Sequence, residues 1–240
     1  MLLHQTASSS AMYERCLPLF AQRYRAVAMD TPGFGMSDPP DSLPADIGYY
    51  SRAVIGLLDG LGIERASLIG FHTGASIALD VAVRAPERVD KLVLAGILAL
   101  PPESDPDAWR SRIVRWEPDG RGDFLSTYPL DYLRDYFVTS GDPKQFLTEL
   151  IAFLQAGPSY WWATELVVHH NAYALFPQIA VPTLFLGISG DMLVEATIAA
   201  QPHVPHSIYV EIEGTDGVVM EEPERFAHAV LDFLGDPEMS

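Results

Sequence analysis

The chain has 240 residues, 48% of them apolar and 20% charged, which is enough for one sizeable core and too apolar for a disordered polymer. Thirty-two acidic against 15 basic residues give a formal charge of -17, which repels phosphate backbones and anionic lipid, so neither nucleic acid nor a membrane surface is an expected partner. The longest apolar run, 92–100, ends at Pro101-Pro102 and is far short of the roughly 18 residues a spanning helix needs; with a single cysteine, Cys16, and no basic-then-apolar leader, the chain is expected to be cytoplasmic.

In chain order, Leu2-Leu3 forms the end of a short strand that runs into His4-Gln5-Thr6. A helical pattern follows at about Met12 to Gln22, then a β-rich run from Arg25 to Asp30. A second helical pattern covers about Ala45 to Leu61, a strand Ala66 to Gly70, and a third helix Gly74 to Arg84, stopped by Ala85-Pro86. Lys91 to Ala95, Thr183 to Gly187 and Ser207 to Glu211 are further short β-rich runs, and Pro223 to Leu234 reads as a last helix. Apolar strands alternating with helices predict an α/β fold with a doubly wound, mostly parallel sheet of about six strands. The alternation breaks between Pro101 and Ala180, so the expected division is a core of 1–100 and 181–240 with a lid inserted at 101–180. All four tryptophans, Trp109, Trp116, Trp161 and Trp162, fall in that insertion. They suit an apolar lid over a site at the carboxyl ends of the strands, or equally a small core of the lid's own.

Four segments carry the chemistry. Met29-Asp30-Thr31-Pro32-Gly33-Phe34-Gly35-Met36-Ser37-Asp38 follows a strand, Gly70-Phe71-His72-Thr73-Gly74 joins a strand to a helix, Ala85-Pro86-Glu87-Arg88-Val89 follows that helix, and Val181-Pro182-Thr183-Leu184-Phe185-Leu186-Gly187 precedes Gly190-Asp191. Together, over nearly the whole chain, they resemble the α/β-hydrolase family: a D-x-P-G-x-G-x-S segment, the G-x-S-x-G nucleophile elbow, and the strand before the catalytic acid. The resemblance implies an inserted helical lid, no cofactor and a hydrolytic reaction on a small, mostly apolar carbonyl compound such as an ester or thioester.

The sequence departs from the family where the chemistry is done. The elbow position holds His72 in place of serine. Anchoring on Met220-Glu221-Glu222-Pro223-Glu224 puts the family's histidine at Gly217, and sliding the register by one residue offers Asp216 or Val218. Asp191 matches the acid. Ser-His-Asp chemistry therefore does not carry over. An imidazole reaches farther than a serine hydroxyl, so a direct His72-Asp191 pair is expected, in which the carboxylate fixes the tautomer and raises the basicity of the other ring nitrogen. Such a residue could activate water or attack an acyl carbon itself. Lyase or isomerase chemistry with His72 as base, and a non-catalytic ligand-binding relative, are the alternatives.

The resemblance also implies an oxyanion site, with Gln5 or Thr6 after the first strand and Thr73 after the elbow as donors of substrate-binding contacts. His4 matches the family's His-Gly segment but is read first as a strand-end histidine bonded to nearby backbone. His169-His170 in the insertion is read as a satisfied lid pair, Cys16 as a buried inert thiol, and Asp30 and Asp38 as loop structure. No metal site is expected, because neither an H-E-x-x-H pattern nor a Cys/His cluster occurs. Relatives carry two strands before the one that ends here at His4, so an exposed sheet edge or a homodimer surface is a further expectation.

Overall fold

Short apolar runs bounded by turns pair side by side in a single sheet. The computed structural model describes residues 1–111, 113, 115 and 142–235. Strands β1 (Leu2–Leu3), β2 (Ala28–Met29), β3 (Ala66–Phe71), β4 (Val89–Ala95), β5 (Thr183–Ile188) and β6 (Ser207–Ile212) lie in the order β2-β1-β3-β4-β5-β6, and every neighbouring pair is parallel. Around it stand α1 (Leu17–Phe20), α2 (Gly48–Gly60), α3 (Thr73–Arg84), α4 (Pro106–Arg110), α5 (Pro143–Ala156), α6 (Trp162–Val168), α7 (Ala172–Leu175), α8 (Val194–Ala200), α9 (Val218–Glu221) and α10 (Pro223–Leu234).

Successive strand residues point to opposite faces, so one run supplies two cores. Leu68, Leu92 and Leu94 pack with Val54 and Leu58 of α2 and Ile77 and Val81 of α3 on one face. Ile69, Val93, Leu184 and Leu186 pack with Phe20 of α1 and Phe226 and Val230 of α10 on the other. This is why β5 reads as continuously apolar, and every one of its residues is buried.

The elements depart from the sequence reading in three places. The helix expected over Met12 to Gln22 is a 3-10 turn, Ser10–Tyr13, followed by the short α1, because Pro18 lacks the N–H a continuous helix needs there. The strand expected from Arg25 to Asp30 shrinks to β2, since β1 offers it only two residues to pair with. Helices α8 and α9 had no counterpart in the sequence reading. The described part of the insertion is helical, in α4 to α7; Trp116 and the rest of 116–141 lie outside the described residues. No helix among the described residues is long and apolar enough to cross a membrane.

The strand order sets the site. From β1 the chain goes outward to β2, returns to β3 on the other side of β1, and then proceeds outward to β6. The crevice where direction reverses lies between the carboxyl ends of β1 and β3, the place where open parallel sheets bind ligands. His4 and Gln5 follow β1, and His72 follows β3.

Candidate active site

His72 sits between β3 and α3 with φ 50 and ψ -111, in a region that L-residues rarely occupy. Two glycines make that turn possible. A Cβ on Gly70 would run into the backbone of Gly74, and one on Gly74 into the Leu3 carbonyl of β1. The His72 N–H still donates to the Ala95 carbonyl at 2.9 Å, so the strained residue remains tied to β4. Its ring is thereby held at the amino end of α3, where the N–H groups of Thr73 and Gly74 have no intrahelical partner.

From the elbow, Nε2 of His72 reaches Oδ2 of Asp191 at 2.7 Å. Asp191 follows β5 and its side chain is fully buried, whereas that of His72 is 15% exposed. The carboxylate is itself oriented by the Leu193 N–H, which donates to Oδ1 at 2.7 Å. Gly96, at the end of β4 with φ +55, leaves room for the pair: a Cβ there would lie 2.8 Å from Nε2 of His72 and on top of the Asp191 carboxylate.

A third group joins them. Asp216, buried after β6, brings a carboxylate oxygen within 4.8 Å of the His72 and Asp191 ligand atoms. Position 217, which the sequence register assigned to the family's histidine, points elsewhere: a Cβ on Gly217 would meet Nε2 of Gln145 at 2.7 Å and Oε1 of Glu221 at 2.8 Å. Asp216, one residue earlier, is the side chain that stands beside the elbow. Burial disfavours a charged His72, but the Asp191 charge, the hydrogen bond to it and the Asp216 charge outweigh burial and raise its pKa above the ordinary histidine value. His72, Asp191 and Asp216 are also the group among the described residues that could offer three ligands to a metal ion. Binding an ion through Nε2 and Oδ2 would break the hydrogen bond that already joins these two atoms.

The other sequence candidates separate into near and far. Gln5 is buried at the end of β1, and its carbonyl accepts from His4 Nδ1 at 2.7 Å and from the Ser8 N–H at 3.0 Å. Thr6 follows it half-buried, and Thr73 opens α3, whose first turn lies against the β1 carbonyls. His4 itself is buried, with Nε2 accepting from the Thr31 N–H at 3.1 Å, which leaves the proton on Nδ1; burial pushes its pKa down to about 4. Asp30 pins its loop by accepting from the Ser10 and Met36 N–H groups at 2.7 and 2.9 Å. The Cys16 thiol donates to the Val219 carbonyl and is pushed by burial to about 12, out of the reactive range. His170 lies 3.6 Å from Asp80 on α3 and His169 3.7 Å from Glu165, so each faces a carboxylate other than the site's.

A parallel sheet with a glycine-framed strand-to-helix turn at its switch point is the architecture of one large enzyme class. The chain belongs to the alpha/beta hydrolase fold family, whose model matches residues 1–130. It is 25% identical over 249 residues to the uncharacterized hydrolase YugF of Bacillus subtilis (strain 168), covering 97% of this chain and 88% of that protein. It is also 25% identical over 226 residues to 3-oxoadipate enol-lactonase 2 of Acinetobacter baylyi, covering 92% of this chain and 82% of that protein. Among solved structures, the enol-lactonase from Burkholderia xenovorans LB400 superposes with a TM-score of 0.83 at 22% identity, over 97% of this chain and 89% of that one, which shows the shared fold.

Proposed function

We propose that this chain is a cofactor-independent hydrolase of a small, mostly apolar ester or thioester, in which a His72-Asp191 pair replaces the Ser-His-Asp triad. The observation that carries the reading is the 2.7 Å bond between Nε2 of His72 and Oδ2 of Asp191 at the strained elbow. Asp191 accepts the Nε2 proton, so the lone pair is on Nδ1. That nitrogen takes a proton from water as the water oxygen attacks the acyl carbon; the bond to the leaving oxygen or sulfur then breaks, and the imidazolium returns the proton to it. Gln5 or Thr6 and the Thr73 N–H serve as donors to the developing oxyanion, and the segment 101–180 serves as lid over the 1–100 and 181–240 core. The two relatives named above as a hydrolase and an enol-lactonase support acyl chemistry.

Proximity of Asp216 favours a second use of the same base. A carboxylate beside the imidazole can receive a proton removed from carbon, as a lyase or isomerase requires.

The test is hydrolysis of p-nitrophenyl butyrate and its thioester analogue by the wild type and by His72→Ala. Loss of a proton-transfer base is expected to cost about 10²–10⁴-fold in kcat. Activity in His72→Ala within threefold of the wild type would overturn the reading.

A further inference from the structure

Strand β6 is the long open edge of the sheet. The opposite edge, β2, is two residues long, whereas β6 pairs with β5 through all six of its residues in one unbroken register. Along such a strand, alternate residues turn their N–H and C=O to opposite sides. The Ile212 carbonyl accepts from the Ser189 N–H at 3.0 Å, so the backbone groups of residues 208, 210 and 212 face β5 and those of 207, 209 and 211 face outward. Ser207 is taken: its N–H donates to the Val204 carbonyl at 3.3 Å and its carbonyl accepts from the Gln201 carboxamide at 3.2 Å. Just past the strand, the Glu213 carbonyl accepts from Arg225 at 3.0 Å. Between these two caps, the N–H and C=O of Tyr209 and of Glu211 have no partner among the described residues. The strand has no proline, lysine or bulge, the usual guards of an open edge. Its one charge, Glu211, accepts from the Tyr209 hydroxyl at 2.6 Å, and on the other face Ile208 is 49% exposed.

We propose that this edge is the interface of a two-fold homodimer, in which β6 pairs antiparallel with β6 of a second copy about an axis through Val210, joining two sheets into one. The register follows from the groups on offer. With the axis at 210, Tyr209 stands opposite the partner's Glu211 and Glu211 opposite the partner's Tyr209. Both are hydrogen-bonded pairs, and together they use every open N–H and C=O of the window in each copy. With the axis at Tyr209, the outer pairs would need the Ser207 groups, which are occupied; with the axis at Glu211, two carboxylates would oppose each other. The chosen register also sets Ile208 against the partner's Ile212 and Val210 against the partner's Val210, so apolar side chains meet on one face and no like charges stand directly opposite on the other. A second copy matches the window from itself, since it offers the same two residues in reverse order. The proposal does not rest on the chemistry assigned to His72.

Sedimentation velocity over a concentration series tests this in the wild type, Glu211→Pro and Val210→Lys. The wild type is expected to pass from monomer to dimer as concentration rises. Glu211→Pro removes an outward N–H but no bond to β5, and is expected to weaken the dimer tenfold or more. Val210→Lys sets two like charges against each other on the axis and is expected to weaken it by at least as much. Cross-linking reads the register directly. Under copper-phenanthroline oxidation, Val210→Cys is expected to give a disulfide-linked dimer, because position 210 faces its own copy in a non-hydrogen-bonded pair. Ile208→Cys, which faces the partner's Ile212, is expected to give little, and the native thiol, Cys16, is buried. A wild type that stays monomeric throughout, a dimer that Val210→Lys leaves in place, or equal cross-linking of the two cysteine variants overturns the proposal. Should Glu211→Pro not fold, which circular dichroism would report, the Val210 variants decide the question alone.

Discussion

Two histidines stand at the ends of adjacent strands, His4 after β1 and His72 after β3, and burial acts on both in the same direction. Their partners differ. His4 is held by the Gln5 carbonyl and by the N–H and hydroxyl of Thr31, all neutral, and burial pushes its pKa down to about 4. His72 meets the Asp191 carboxylate at 2.7 Å with Asp216 close by, and its pKa rises. A buried imidazole thus becomes an inert strut or a base according to whether a carboxylate bonds to it directly: the Asp30 charge raises the pKa of His4 too, but does not offset its burial. The sign of the linkage follows. His4 must charge inside the protein, so stability is full above about 6.5 and falls as pH drops through about 4. His72 contributes stability that is full below its unfolded value and is lost as pH rises through its raised folded value.

The sharpest way to break the contrast is Asp191→Asn, which makes His72 resemble His4. Its rate is expected to fall about 100-fold, the size of a lost proton-transfer partner. The rising limb of the pH-rate profile, which needs neutral His72, should move to lower pH, and an NMR titration of the ring should show the same shift. A titration that Asp191→Asn leaves in place would remove the pair from the mechanism. Next in size is His4→Leu, which leaves the Thr31 N–H without its acceptor and should cost about 1–3 kcal/mol at pH 7 by urea unfolding. The same variant should flatten the acid limb of stability, on the order of 3 kcal/mol between pH 6.5 and 4, while His72 titrates as before. The smallest effect is expected of Asp216→Asn, whose charge is the last of the influences raising His72: a downward ring titration smaller than that of Asp191→Asn. An equal or larger shift would make Asp216 the dominant partner.

The sheet was legible because parallel strands buried on both faces leave continuous apolar runs, and β3, β4 and β5 stand within a few residues of where those runs lie. The elbow was legible from Gly70 and Gly74, and the His72-Asp191 pairing from the reach of an imidazole. Residue 216 was not separable from 217, because the loop between β6 and α9 has no periodicity to say which side chain faces inward. The buried polar positions of α5, Gln145 and Glu149, left no signal: in sequence they look like part of a solvated helix face, and only the packing against Ser8 and Gly217 shows them buried alongside Ala152, Phe153 and Ala156.

The place of Asp216 bears on what a serine at the elbow would need. With Asp191 kept, a Ser-His-Asp set built on this fold would require a serine at 72 and an imidazole such as one at 216. Serine at 72 alone would stand beside two carboxylates with no imidazole to take its proton, and histidine at 216 alone would crowd His72 around the shared acid. On the proposed mechanism the second of these intermediates keeps the His72-Asp191 pair, whereas the first has lost its base, so a stepwise route to a serine mechanism would have to change 216 before 72.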